Sequence, residues 1–180
     1  MSRNLVAFAL TAATICANAQ TWPLEPEKVV GIRLGVPLSE SGYPECSGTP
    51  SNEPCLERRG PSLSRLHRTG LQATVNVLEY EGVVGGITMT MPHTQFEEFV
   101  RTMIERYGGP QEDKLSQVQN RLGAIFSNRQ LRWSGVKISI TMNERYSDLD
   151  TSVVHFFDKS VAASLARKNR ERAKSEASKL

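Results

Sequence analysis

The stretch LQATVNVLEYEGVVGGITMTMPHTQFEEFVRTMIERYGGP, Leu71 to Pro110, changes its hydrophobic period partway along, and that change decides the fold class. In its first half Val75 and Val77, then Ile87, Met89 and Met91, recur at every second position with Thr88 and Thr90 between them. Alternation of this kind is the signature of strands with one buried face. Glu81-Gly82 lies between the two runs, where a hairpin turn needs a residue that tolerates positive φ. In the second half Phe96, Phe99, Val100, Met103, Ile104 and Tyr107 fall at helical spacing and form one continuous face. Glu97 and Arg101 are four apart and are expected to pair on the outer face of that helix. Pro92 stands near its start, and Gly108, Gly109 and Pro110 end it.

Downstream the period returns to two. A strand is expected around Leu115 to Gln119, followed by a turn near Leu122-Gly123. AIFSNRQLRW and VKISITM then flank a second hairpin signal at Ser134-Gly135. In TSVVHFFD, Val154 and Phe156 face one way and Val153, His155 and Phe157 the other. The expected architecture is α+β: an antiparallel sheet of hairpins with one long amphipathic helix on a face. From Ser160 onward Ala, Arg, Lys and Glu dominate, which favours a helix. Its apolar stripe is only Val161 and Leu165, so it should dock weakly at its start and fray later.

Upstream of Leu71 the signals are thinner. VVGIRLG, Val29 to Gly35, alternates enough to be read as a strand, and Pro37 with Ser39 starts a turn or short helix. Leu56 to Thr69 carries several arginines and little periodicity, and reads as irregular with room for one strand.

CSGTPSNEPC, Cys46 to Cys55, could be a redox pair, half a metal site or a staple, and the compartment decides between them. The chain opens MSRNLVAFALTAATICANAQ: a positive start at Arg3, a short apolar run from Leu5 to Cys16, and Ala17-Asn18-Ala19. This is the three-part pattern of a secretory signal with cleavage expected after Ala19, and the run is too short for a permanent span. Ile15 before Cys16 does not fit lipidation. Cleavage leaves Cys46 and Cys55, an even count in an oxidising compartment, so a disulfide is expected. Gly48, Pro50 and Pro54 favour the bend it needs. Three units follow: residues 1–19 as signal, 20–158 as a single α+β domain with a disulfide loop, and 159–180 as a basic helical tail. The expected location is the periplasm or the exterior.

Charge divides along the same boundary. Gln20 to Asp158 holds 14 Lys and Arg against 17 Asp and Glu, whereas Lys159 to Leu180 holds 7 against 2. The acidic body argues against a nucleic-acid surface and confines any polyanion contact to Arg167, Lys168, Arg170, Arg172 and Lys174. A partner of that kind would be an anionic lipid or envelope polymer.

With LGVPLSE, the helix ending in ERYGGP and the later strand pair carrying Trp133 in view, the chain resembles small exported α+β domains. These belong to the superfamily of the β-lactamase inhibitor proteins and the SmpA-type outer-membrane assembly lipoproteins. The similarity covers Val29 to Leu38 and, more loosely, Phe96 to Phe157. It implies a helical stretch near a Leu-Gly motif packed on an antiparallel meander, and protein binding as the function. Two departures stand beside it: there is no lipidation cysteine, and the Leu-Gly motif runs into a disulfide loop.

The glycine-rich nucleotide loops, H-E-x-x-H, G-x-S-x-G and EF-hand patterns do not occur. Among the histidines, His93 and Glu97 are four apart but supply only two metal ligands, and zinc needs about four. His155 among aromatic residues reads as a packed histidine, and the Phe and Met stripe of the helix as core. Trp133 reads as a core anchor. Arg58, Arg59, Arg65, His67 and Arg68 form a basic run that could meet an acidic partner. No catalytic residue, cofactor or metal is expected. The chain reads as an exported, disulfide-stapled, non-enzymatic module that binds an envelope protein, with the sheet surface and the stapled loop as contact region. The alternatives are a small hydrolase using His67, His93 or His155, and a polyanion binder working through its tail.

Overall fold

The computed structural model describes residues 22–47 and 52–177. The signal read at residues 1–19 and the bend at Gly48 and Pro50 lie outside the described residues. The strands are β1 (Cys55–Gly60), β2 (Leu63–His67), β3 (Thr74–Tyr80), β4 (Val83–Pro92), β5 (Glu112–Gln119), β6 (Ile125–Ser134), β7 (Ile138–Asn143) and β8 (Thr151–Asp158). Helix α1 (Phe96–Tyr107) follows β4, and helix α2 (Lys159–Ala177) follows β8. All strands join one antiparallel sheet in the order β1-β2-β3-β4-β8-β7-β6-β5. The class is α+β.

Register explains why the period-two pattern was legible. Val75, Met89, Val154, Met142 and Leu131 stand side by side across five strands. Val77, Ile87, Phe156, Ile140 and Trp133 form the next row, and all ten are buried. Each large side chain so buried contributes about 1.5–3 kcal/mol. The alternate row, Arg65, Asn76, Thr88, His155, Thr141 and Arg132, is polar and lies on the opposite face. Phe96, Val100, Met103 and Tyr107 of α1 belong to the same hydrophobic core as the two apolar rows. The Tyr107 ring meets Phe156 edge-on, centroids 6.1 Å apart.

The β3–β4 turn takes positive φ at both central residues, 53° at Glu81 and 81° at Gly82. That geometry matches the twist of the flanking strands. The β5–β6 hairpin closes at Gly123, where φ is 88°, and the β6–β7 hairpin at Gly135, whose N–H donates to Ile138 O. Leu38–Ser41 is a short 3-10 turn.

Three expectations require correction. Val29 to Gly35 is not a strand. Val29 and Ile32 form an isolated antiparallel bridge around Val30 (φ 44°) and Gly31 (φ 79°), and both are buried. The inward residues are three apart, so the segment is a tight turn plugging the core. Leu56 to Thr69 is not irregular: β1 and β2 occupy most of it, with Leu56 and Leu66 paired and buried while Arg59 and Arg65 project from the other side. The arginines masked a short alternation. Glu97 pairs with Arg129 of β6 at 3.5 Å, not with Arg101, because Arg129, held by Asp113 at 2.7 Å, presents a fixed guanidinium within its reach.

Candidate binding groove

A groove of about 340 Å³ opens between α1, the Val29-Val30 turn and the Gly70–Gln72 loop. Its floor is Met89 of β4 and Phe156 of β8, and Phe99 and Met103 form the helical wall. The groove follows from local sequence. Gly31 reverses the chain so that Val30 reaches the helix, and the Tyr43 hydroxyl donates to Val30 O at 2.8 Å to hold that wall. Its size and apolar lining are those of a small ligand or side-chain pocket.

Polar side chains, Gln72, Gln95, Glu98, Thr102 and Arg106, are interspersed with the apolar lining. Gln95 Nε2 donates to Gln72 Oε1 at 2.6 Å, bridging α1's approach to the loop, while Gln95 Oε1 is buried without a partner among the described residues. A buried acceptor left unpaired costs about 1–3 kcal/mol, so a donor reaching it would be rewarded. Arg106 lies over the Tyr107 ring, 5.6 Å from its centroid. Burial raises the Tyr107 hydroxyl pKa, with Arg106 opposing, so the phenol stays neutral. The groove can hold an apolar body and accept a hydrogen bond. Of its lining hydroxyls, that of Thr102 donates to the main-chain oxygen of Glu98 at 3.1 Å.

The residues singled out in the sequence lie elsewhere. Cys46 and Cys55 form a disulfide with Cα atoms 4.9 Å apart, fastening the segment before β1 to its first residue. The basic run is partly neutralised: Arg58 meets Glu79 at 3.0 Å, Arg59 meets Glu57 at 2.9 Å, and His67 Nε2 lies 2.6 Å from Glu57. The hydrogen bond from His67, with Arg59 and Arg65 nearby, holds the Glu57 carboxyl below its ordinary range. Arg65 Nε is buried with no partner among the described residues, and Arg68 reaches Glu53 O at 3.4 Å. On α2, Lys168 pairs with Glu81, while Arg167, Arg170, Arg172 and Lys174 are exposed. Shallow grooves of about 430 and 190 Å³ flank the start of α2 at Val161 and Leu165.

The three histidines are not brought together. His93 Nε2 lies 3.0 Å from Glu144, and His155 Nδ1 lies 3.0 Å from the Thr88 hydroxyl, between the Tyr146 and Phe157 rings. His67 is on β2, three strands from β8. Burial lowers the His155 pKa, which favours the neutral ring. Neither His67 nor His93 is hydrogen-bonded to a serine, threonine or cysteine side chain among the described residues. The described residues contain no group of three or more His, Cys, Asp or Glu able to hold a metal, and no helix long and apolar enough to cross a membrane.

The groove was not legible in the sequence, because its lining comes from five separate stretches of chain. The one local signal was Phe99, which sits at the margin of the buried helix face. No protein-family model matches the chain, and no curated protein and no solved structure matches it.

Proposed function

We propose that this chain is an exported, non-enzymatic binding module of a bacterial envelope, and that the groove beside α1 receives an apolar side chain or short apolar segment of a macromolecular partner. The observation that carries this is the apolar floor of Met89 and Phe156 set beside the buried, unpaired Gln95 Oε1. Val30 and Phe99 are only partly buried at the groove's margin and Leu71 is 41% exposed, so filling the groove removes apolar surface from water. The disulfide fits an oxidising compartment, and so supports export. The hydrolase alternative has less support, since the histidines occupy three separate hydrogen-bonded settings.

A second reading rests on α2: Arg167, Arg170 and Lys174 are exposed along one side of the helix, suited to an anionic lipid or polymer. One experiment separates the two. A photo-crosslinking residue is placed at position 99 in one strain and at 167 in another, and adducts of the exported chain are identified. A single envelope protein recovered from position 99, and lost on Met103→Glu, supports the groove. Salt-sensitive adducts from 167 alone would overturn it in favour of the tail.

A further inference from the structure

The sheet has two edges, and the chain treats them differently. Alongside β1 lies a strap, Pro44–Cys46: Leu56 N–H donates to Pro44 O at 2.9 Å, and Cys46 N–H donates to Leu56 O at 2.8 Å. The Cys46–Cys55 disulfide fastens that strap. Covering an edge is a standard defence against unwanted pairing.

Among the described residues β5 has no such cover. Asn120 N–H donates to Ala124 O at 3.0 Å, which sets the alternation of the β5–β6 ladder and turns the even-numbered residues of β5 toward β6. The N–H and C=O groups of Asp113, Leu115 and Gln117 therefore point away from the sheet, with no partner among the described residues. The strand contains no proline and no bulge against β6, and its only lysine is Lys114. Leu115 is 75% exposed, and Leu122 (94%) and Ile125 (61%) lie on the same hairpin.

We infer that β5 pairs antiparallel with β5 of a second copy, forming a twofold dimer with one continuous sheet. Closure selects this occupant. A chain with two open edges would extend into a fibre, whereas here the β1 edge is strapped at Leu56 and bulged between Arg58 and Gly60, which leaves β5 as the edge suited to a single pairing. Charge excludes one register, and the exposed Leu115 favours another. Centring the pair on Lys114 would set two ammonium groups face to face, which is destabilising. Centring it on Leu115 places Lys114 opposite Ser116 and Asp113 opposite Gln117, with no like charges opposed. It also sets the two Leu115 side chains against each other at the axis and joins the outward groups of Asp113, Leu115 and Gln117.

The test uses the chain carrying Cys16→Ser. Sedimentation across a concentration series should show a monomer–dimer equilibrium with nothing larger. In a hydrogen-bonded antiparallel pair the two Cα atoms at the axis are about 5.5 Å apart, within disulfide range. Leu115→Cys should therefore form a covalent dimer on mild oxidation. Gln117→Cys should not, since its two copies would lie about 13 Å apart at the rise of an extended strand. Gln117→Pro removes only an outward N–H and should raise the dimer dissociation constant at least tenfold with an unchanged circular dichroism spectrum. A wild-type chain that stays monomeric at the highest concentration reached overturns the inference, as does a dimer that survives Gln117→Pro and gives no Leu115→Cys link.

Discussion

The indole N–H of Trp22 donates to the main-chain carbonyl of Tyr107 at 2.7 Å, joining the first described residue to the last residue of α1. Trp133 does the same for the next carbonyl, Gly108 O, at 2.8 Å. A helix end leaves its last carbonyls without intrahelical donors, and here the two tryptophans of the chain serve the end of α1 from inside the core. Trp22→Phe keeps most of the ring and removes the donor, leaving a buried carbonyl unpaired. The expected loss is about 1–3 kcal/mol, read as a lower urea midpoint with an unchanged slope.

Glu25 closes another long-range contact. Its carboxylate accepts from the N–H groups of Val136 (2.9 Å), Lys137 (2.6 Å) and Ile138, the turn between β6 and β7. Glu25→Ala should accelerate hydrogen exchange at those three amides and lower stability by about 1–3 kcal/mol. Protection in β3 and β4 should follow the global stability only. Unchanged exchange at the turn would show that the cradle is not what orders it.

Reducing the Cys46–Cys55 disulfide opens a short loop, with a sequence separation of 9. Loop-closure entropy predicts a cost of about 2.5–3 kcal/mol, seen as a lower melting temperature in reductant. The same treatment should free the strap and expose the β1 edge, so reduced protein should form assemblies larger than a dimer. Light scattering before and after reduction checks this.

Acidification should destabilise the fold through His155. Burial between Thr88, Tyr146 and Phe157 lowers its pKa below the ordinary value of 6.5. The unfolded chain then binds the proton first, so stability is fully present above the unfolded value and falls as the pH drops below it. Glu57 acts lower, below its ordinary 4.5, since its folded pKa is depressed. Melting temperatures from pH 7.5 to 5 should therefore decline in the wild type, and His155→Gln should flatten that decline.

Gly85 keeps room for α2. A Cβ there would run into the Tyr80 ring and come within 2.8 Å of Val161 Cγ1. Gly85→Val should push the start of α2 off the β3–β4 hairpin, and trypsin should then cut at Arg167 and Lys168 earlier than in wild type. An unaltered digestion pattern would mean that Val161 does not hold the helix.

The paired rows through Val75 and Val77 explain what could be read directly. Each of β3, β4, β7 and β8 places an apolar residue at every second position because one face of the sheet is core and the other is not. α1 was legible for the parallel reason at helical spacing. Val29 to Gly35 misled because Val29 and Ile32 reach the core from either side of a turn. Leu56 to Thr69 misled because Arg58, Arg59 and Arg65 leave only Leu56 and Leu66 as buried leucines, one on each of two short strands.

The sequence by itself determined the strands from β3 to β8, both helices, their periods, the turn at Glu81-Gly82, the α+β class and the cysteine pair, since these depend on residues close together in the chain. The placement of β8 between β4 and β7, the separation of the three histidines, the groove at Phe99 and the contrast between the strapped β1 edge and the bare β5 edge were decided only in the tertiary structure. They depend on which distant apolar rows come together to bury most surface, and that free energy belongs to the whole sheet, not to any stretch of it.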